Sequence, residues 1–142
     1  MKRANIPDHL KIKVRQSARH RCGYCLLRQR YSPIVFQFDH YIPVSSGGTN
    51  DEENLWLACG NCNNAKSDKI EAFDSVTNST VPIFNPRTQE WNEHFEWSKD
   101  GAMIVGKTAI GCGTVIALKL NDERVVAVRQ EWFSAGWHPP KE

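Results

Sequence analysis

The sequence has no long hydrophobic run. No stretch approaches the ~18 consecutive apolar residues that a membrane-spanning helix requires, and residues 1–16 carry charges without the apolar core of a secretory signal. Internal repeats and low-complexity tracts are also absent. These absences argue against a membrane protein, a secreted protein and a repeat array, so we expect a cytoplasmic protein that does not associate with membranes.

Disorder and dependence on disulfides are also disfavoured. The 142 residues correspond to about one domain, which is long enough to bury a core without disulfide support. Hydrophobic residues make up 40% and charged residues 24% of the chain, near the averages of globular proteins. This composition argues against a wholly disordered chain.

The net charge of +2 is small but unevenly distributed. Residues 1–30 contain nine Lys or Arg and one acid, whereas residues 31–142 contain nine Lys or Arg and fifteen acids. This asymmetry predicts an anionic partner for the N-terminal segment, nucleic acid first, although a solvated helix face is the alternative. Residues 7–20 read as a helix, and we expect phosphate contacts from the basic side chains in and just after it, Lys11, Lys13, Arg15, Arg19 and Arg21.

Four of the five cysteines form two C-x-x-C pairs. Cys22 with Cys25 and Cys59 with Cys62 are separated by 33 residues. Two thiolates from one tight turn can hold a zinc ion, and a second such turn completes a tetrahedral site. Disulfides and a redox dithiol are the alternatives; the missing secretory signal disfavours the first, and the duplicated motif disfavours the second. Cys112 has no partner at ligand spacing and reads as a small buried apolar residue.

The segment between the cysteine pairs predicts a ββα unit. Residues 35–42 and 54–58 read as strands separated by a Gly- and Ser-rich loop, and residues 63–73 read as a helix. Gly23 and Gly60 each follow the first cysteine of a pair, where a turn tolerates little bulk or needs unusual dihedral angles.

Three polar residues of this unit can meet at one place. Asp39 and His40 are adjacent near the end of the first strand, and Asn63 directly follows a cysteine that we predict to bind zinc. A carboxylate and an amide oxygen suit a hard cation such as Mg²⁺ or Mn²⁺. A neutral imidazole beside that cation can take a proton from water.

Three motifs follow one another in this segment: DH-x-x-P-x-S-x-G-G, then N-L, then C-x-x-C-N-x-x-K. Their order resembles that of the HNH endonucleases, the ββα-metal nucleases, in the subtype whose fold is held together by a zinc ion with four cysteine ligands. The resemblance implies that His40 is the general base and that Asp39 and Asn63 hold the catalytic Mg²⁺ or Mn²⁺. It also implies that the amide of Asn54 bridges backbone groups and fixes His40, and that Lys66 contacts a phosphate. The implied ligands of the structural Zn²⁺ are Cys22, Cys25, Cys59 and Cys62.

The remaining residues predict an extension of the unit. Residues 76–82 read as a linker or loop, and a β-hairpin turning at Asp100 follows. Two helices come next, the first opened by Thr108 and the second by Asp122.

We therefore expect an α+β fold. A ββα-metal finger stapled by a four-cysteine zinc site is preceded by a basic helix and followed by a hairpin and two helices. Residues 1–75 are predicted to form the nuclease core, and residues 76–142 the C-terminal extension, packed on or beside that core. The predicted function is metal-dependent hydrolysis of phosphodiester bonds in double-stranded DNA. The alternatives are a non-catalytic zinc module that binds nucleic acid or protein, and a zinc-stapled RNA-binding protein.

Overall fold

A computed structural model describes residues 5–140 as an α+β fold of short elements, as the sequence predicts. These residues divide into two compact units. The first contains residues 5–70 with Asn85–Thr88, and the second contains Glu71–Phe84 with residues 89–140. None of the helices in the described part of the chain has both the length and the apolar character needed to cross a membrane.

The first unit contains the predicted ββα order behind an N-terminal helix. Its elements are α1 (Asp8–Ser17), β1 (Gln37–His40), β2 (Leu55–Ala58) and α2 (Gly60–Lys66). β1 and β2 pair antiparallel, with His40 opposite Leu55. The predicted strand–strand–helix arrangement is therefore confirmed.

Helix α1 has the amphipathic character that its sequence predicts. Pro7 is its N-cap, and Asp8 lies in the first turn, where a carboxylate interacts favourably with the helix dipole. Val14 and Ala18 are buried, whereas Lys13 is exposed. The helix thus packs its apolar side on the unit, against β2, and leaves basic side chains toward solvent.

Helix α2 differs from the helix predicted over residues 63–73. It begins at Gly60, inside the second cysteine pair, and ends at Lys66. Ser67 then adopts φ 50° and ψ −126°, and this positive φ does not continue a right-handed helix. Glu71–Asp74 form strand β3 instead. The prediction was therefore wrong beyond the end of α2.

Residues 76–82, predicted as a linker or loop, contain the partner strand of β3. β4 (Ser79–Pro82) pairs with β3 antiparallel. Asp74 closes the turn between them: its carboxylate accepts hydrogen bonds from the hydroxyl and backbone N–H of Thr77 at 2.6 and 3.0 Å and from the backbone N–H of Val76 at 3.3 Å. These hydrogen bonds lower the pKa of Asp74, and the bond from the Thr77 hydroxyl has the largest effect.

The described part of the second unit confirms the predicted hairpin and helices. After β3 and β4 come α3 (Trp91–His94), β5 (Phe95–Trp97), β6 (Ile104–Gly106), α4 (Ala109–Ala117) and α5 (Glu123–Ser134). β5 and β6 pair antiparallel. Thr108 accepts a hydrogen bond from the Gly111 backbone, and Asp122 accepts one from the Arg124 backbone. Both predicted helix starts are therefore N-caps.

The two glycines of α4 are buried, as is Thr114. A Cβ atom on Gly111 would lie 2.0 Å from the carbonyl oxygen of His94, and one on Gly113 would lie 3.0 Å from a β4 side chain. Cys112, which was predicted to be buried, is half-buried. Its neighbours Gly111 and Gly113 are buried, whereas the Cys112 side chain lies with Sγ 3.5 Å from the carbonyl oxygen of Gly106.

Candidate metal centre and active-site cleft

The four paired cysteines converge in the first unit. Their Sγ atoms all lie within 4.8 Å of one another, all four residues are buried, and none is in a disulfide. The Sγ atoms of Cys25 and Cys59 are 3.7 Å apart. A tetrahedral zinc with Zn–S bonds of about 2.3 Å has sulfur–sulfur edges of about 3.8 Å. The donor set and its spacing therefore fit a structural zinc, which the cluster indicates.

Two local structures supply these thiols. The first pair lies in a tight turn after α1, closed by hydrogen bonds from Cys22 N to Leu27 O and from Leu26 N to Cys22 O at 2.8 and 3.0 Å. In the second pair, Cys59 is the N-cap of α2 and Cys62 lies in its first turn. The cluster thus joins the turn after α1 to the start of α2.

The glycines in the two pairs have different roles. A Cβ atom on Gly23 would lie 2.2 Å from the Trp56 ring, so no other residue fits there without a shift. Gly60 has open space around its Cβ position and no positive φ. The predicted steric requirement is therefore confirmed for Gly23 and wrong for Gly60, which is the half-buried first residue of α2.

The thiols influence one another's protonation. A hydrogen bond with the Cys22 thiol is the main reason why the pKa values of Cys25 and Cys62 are raised, and burial raises them further. Hydrogen bonds from its three neighbours lower the pKa of Cys59. Because zinc binds thiolates, its binding releases the remaining protons and is favoured at higher pH.

Asp39, His40 and Asn63 line one cleft of about 300 Å³. Side chains of adjacent strand residues alternate between faces, but β1 ends at His40, and both of its last two residues are buried at the cleft. Asn63 reaches it from α2. The structure thus brings together the three polar residues that the sequence predicts to meet. The other lining residues are Phe38, Pro43, Ser45, Asn64, Ser67 and Asp68.

The carboxylate of Asp39 is held from both sides. It is only 4% exposed. The Tyr24 hydroxyl donates to Oδ2 at 2.7 Å, and Lys66 Nζ donates to Oδ1 at 3.2 Å. Burial raises the pKa of Asp39, while Lys66 and Tyr24 act in the opposite direction. Burial, followed by the Asp39 charge, raises the pKa of Tyr24.

Lys66 is placed differently from the prediction. Its side chain is fully buried, and Nζ also donates to the backbone oxygens of His40 at 2.9 Å and Tyr41 at 3.1 Å. With Asp39, these acceptors satisfy the three donors of the ammonium. The predicted phosphate contact does not fit this placement, because Lys66 fastens α2 to the end of β1 inside the protein.

His40 is contacted by a residue that the sequence pattern did not indicate. Its Nε2 lies 2.7 Å from Oδ1 of Asn50. Asn54 instead bridges backbone groups: Oδ1 accepts from Ile42 N at 2.8 Å, and Nδ2 donates to the carbonyls of Ile42 and Thr49 at 3.0 and 2.9 Å. Asn50 gave no signal in the sequence because it lies in a run of turn-forming residues.

Two further side-chain contacts hold residues in the cleft or on the strand that pairs with β1. The amide nitrogen of Asn63 donates to Oε1 of Gln37, so its amide oxygen is the atom suited to bind a cation. Arg87 donates from Nη2 to the backbone oxygen of Leu55 at 3.0 Å and stacks on the Trp56 ring at 4.8 Å. Since Leu55 pairs with His40 across the sheet, Arg87 braces the strand behind the imidazole.

One of the basic side chains in and just after α1 lies next to a residue of the cleft. Lys13 and Arg19 are exposed, and Lys11, Arg15 and Arg21 are half-buried. The guanidinium of Arg15 lies 4.9 Å from the centre of the Phe38 ring, which lines the cleft. At least one predicted phosphate-binding side chain is therefore a neighbour of the cleft.

Residues 22–69 match the family described as HNH endonuclease. The predicted resemblance is confirmed for this HNH segment. It covers about a third of the chain and includes the four thiols and the polar residues of the cleft. No curated protein and no solved structure matches the chain significantly. The HNH segment and its cysteine cluster support a nuclease or nucleic-acid-binding function in general terms.

Removing one thiol tests the zinc assignment of the HNH segment. We expect Cys59→Ser to release zinc to a chromogenic chelator at a lower chelator concentration than the parent protein and to unfold the segment, because structural zinc contributes ~10–16 kcal/mol of apparent binding free energy. Cys112→Ser is the matched control, since Cys112 lies outside the cluster. A Cys59→Ser protein that folds stably without zinc contradicts the four-thiolate site.

The interior position of Lys66 is tested by Lys66→Met. Removing one partner of a buried ion pair leaves Asp39 uncompensated, so we expect the free energy of unfolding to fall by ~3–5 kcal/mol in urea titrations at fixed zinc concentration. Lys69→Met is the control: Lys69 is exposed, and a surface change has an effect within about 0.5 kcal/mol. Equal stability of the two variants would show that Lys66 does not fasten α2 to β1 inside the protein.

Proposed function

We propose that the protein is a metal-dependent endonuclease that hydrolyses phosphodiester bonds in double-stranded DNA. The observation that supports this most strongly is that Asp39, His40 and Asn63 line the same cleft, within the HNH segment. A general base, a carboxylate and an amide oxygen in one polar cleft are the groups that such a hydrolysis needs.

His40 acts as the general base in this proposal. Its imidazole takes a proton from the water that attacks the phosphorus, a role that usually contributes ~10²–10⁴ in rate. The ring is 8% exposed, and the hydrogen bond to Asn50 limits its rotation. A base held in one orientation loses less freedom when the substrate arrives.

Asp39 and Asn63 would hold the catalytic Mg²⁺ or Mn²⁺. Their oxygens are hard donors, and a carboxylate oxygen that already accepts one hydrogen bond keeps a second lone pair. When bound, the cation stabilises negative charge on the phosphate oxygens and on the leaving 3′ oxygen. Tyr24 and Lys66 hold the Asp39 carboxylate at the cleft.

Double-stranded DNA is the partner we propose for the basic face of α1. Phosphate contacts from Lys11, Lys13 and Arg15 supply affinity that does not depend on base sequence. The contact of Arg15 with Phe38 supports a path for the DNA backbone from this helix to the cleft. Further phosphate contacts are assigned to Arg19 and Arg21.

A non-catalytic zinc-containing module that binds nucleic acid is the second candidate. The ion pair between Lys66 and Asp39 favours it, because the carboxylate already has a cationic partner at 3.2 Å. Such a module, including one that binds RNA, needs the cysteines and α1. It has no use for a buried imidazole beside that carboxylate.

Plasmid nicking separates the two candidates. We expect the zinc-loaded protein to nick supercoiled DNA with added Mg²⁺ or Mn²⁺, and His40→Ala to be slower by ~10²–10⁴ because the general base is lost. His9→Ala, a change at an exposed histidine of α1, serves as the control. Absence of nicking by the parent with either metal would favour the binding module, and equal rates for parent and His40→Ala would remove His40 from the reaction.

The DNA contact of α1 is tested by salt dependence. In zinc-loaded protein without added Mg²⁺ or Mn²⁺, we expect the combined Lys11→Ala, Lys13→Ala and Arg15→Ala protein to bind DNA with a shallower slope of log affinity against log salt. The slope should fall by ~0.9 for each phosphate that is no longer neutralised. Lys99→Ala, at an exposed position of the other unit, should leave it unchanged. An unchanged slope in the triple variant would exclude α1 from the DNA interface.

A further inference from the structure

The hydrogen bond between His40 and Asn50 defines how the imidazole is protonated. Oδ1 of Asn50 lies 2.7 Å from Nε2 of His40, at the short end of the usual range. An amide oxygen only accepts hydrogen bonds, so Nε2 must be the donor. In a neutral imidazole one nitrogen carries the hydrogen and the other has a lone pair. The lone pair of His40 is then on Nδ1.

We propose that Asn50 is the positioning residue of the active site, which holds His40 with its hydrogen on Nε2 and makes Nδ1 the atom that accepts the proton from water. This inference rests on the proposed nuclease function. It adds a residue to the expectation that Asn54 bridges backbone groups and fixes His40, because the side chain in contact with the imidazole belongs to a residue four positions earlier.

The loop around Asn50 is braced on both sides. Before it, the carbonyl of Thr49 accepts a hydrogen bond from Asn54 Nδ2 at 2.9 Å. After it, Asp51 O accepts one from Asn54 N at 2.9 Å, and the Asp51 carboxylate accepts one from the Thr49 hydroxyl at 2.9 Å. Asn54 therefore acts on His40 through the loop backbone and Asn50.

The start of the same loop is also fixed. Asn54 pairs with both backbone groups of Ile42. A Cβ atom on Gly48 would lie 1.6 Å from the Ile42 carbonyl oxygen, so the chain passes too close for any other residue. At the opposite end of His40, its backbone oxygen accepts from Lys66. The backbone of His40 and its ring are thus held by different elements, and Asn50 is the contact that holds the ring.

The rate of nicking provides the first test. We expect Asn50→Ala to be slower by ~10–100-fold, the usual effect of removing a partner that orients a site residue. Asn50→Asp keeps an acceptor oxygen at this position, so the nicking rate of this variant should fall clearly less. Ser46→Ala, at an exposed position of the same loop, is the control and should match the parent. Zinc content and urea midpoint are measured for each variant to confirm that it is folded.

The protonated ring nitrogen provides a second test that a purely structural role would not pass. In ¹⁵N-labelled, zinc-loaded protein without added Mg²⁺ or Mn²⁺, the His40 ring signals are identified by their loss in His40→Ala. We expect a slowly exchanging hydrogen on Nε2 in the parent and in Asn50→Asp, and fast exchange in Asn50→Ala. A hydrogen on Nδ1 in the parent would overturn the proposal.

The two proposals fail in distinguishable ways. A parent protein that nicks DNA while Asn50→Ala nicks equally fast overturns the role of Asn50 and leaves the nuclease function standing. A parent that nicks no DNA with either metal overturns the nuclease function, and the positioning role falls with it. Slow Asn50→Ala, a smaller loss in Asn50→Asp and an Nε2 hydrogen together support the inference.

Discussion

The cysteine cluster is the constraint on which the site depends, because its ligands are neighbours in sequence of the residues that form the cleft. Tyr24 lies between Cys22 and Cys25, is fully buried, and its hydroxyl reaches Asp39. Asn63 directly follows Cys62 on α2. A metal held by both pairs therefore fixes one residue that orients the carboxylate and one that faces the cleft. Two short segments of this kind have too little apolar surface to hold that geometry by packing alone.

A second constraint comes from Lys66. Burying an ammonium and a carboxylate costs more free energy than burying apolar side chains of similar volume, so a buried ion pair is weak evidence for stability. Here the ammonium also satisfies the backbone oxygens of His40 and Tyr41, at the point where β1 ends. His40 is the last residue of β1 and Tyr41 follows it, so these two carbonyls lie at the end of the strand and would otherwise need other donors. Lys66 therefore determines how the chain leaves the strand, and with it the direction of the His40 side chain.

Sequence patterns predicted the parts of this structure that depend on local chemistry. Spacing alone identified the four thiols, and N-cap residues identified the starts of α4 and α5. The β3–β4 hairpin was missed because residues 63–73 were read as one helix. The positive φ of Ser67, which follows the end of α2, has no clear signature in a non-glycine residue. The role of Lys66 was misjudged, and Asn50 was not singled out at all, for a different reason. A lysine on a helix and an asparagine in a turn are surface residues by default, and only tertiary contacts show that one is buried and the other holds an imidazole.

The charges at the cleft bear on how a catalytic cation would bind. Asp39 is paired with Lys66, and Asn63 is neutral, so together these three side chains carry no net charge when the ion pair is formed. Asp68 is the other acidic residue that lines the cleft. A nearly neutral set of ligands holds a divalent cation weakly, and Mg²⁺ in particular is commonly completed by water and by substrate phosphate. On the proposed function, the DNA phosphate is thus both the substrate and an anionic ligand. Cation and DNA would then favour each other's binding, because each supplies the charge that the other needs. The basic face of α1 fits this arrangement, since it attracts the phosphate without relying on the cation.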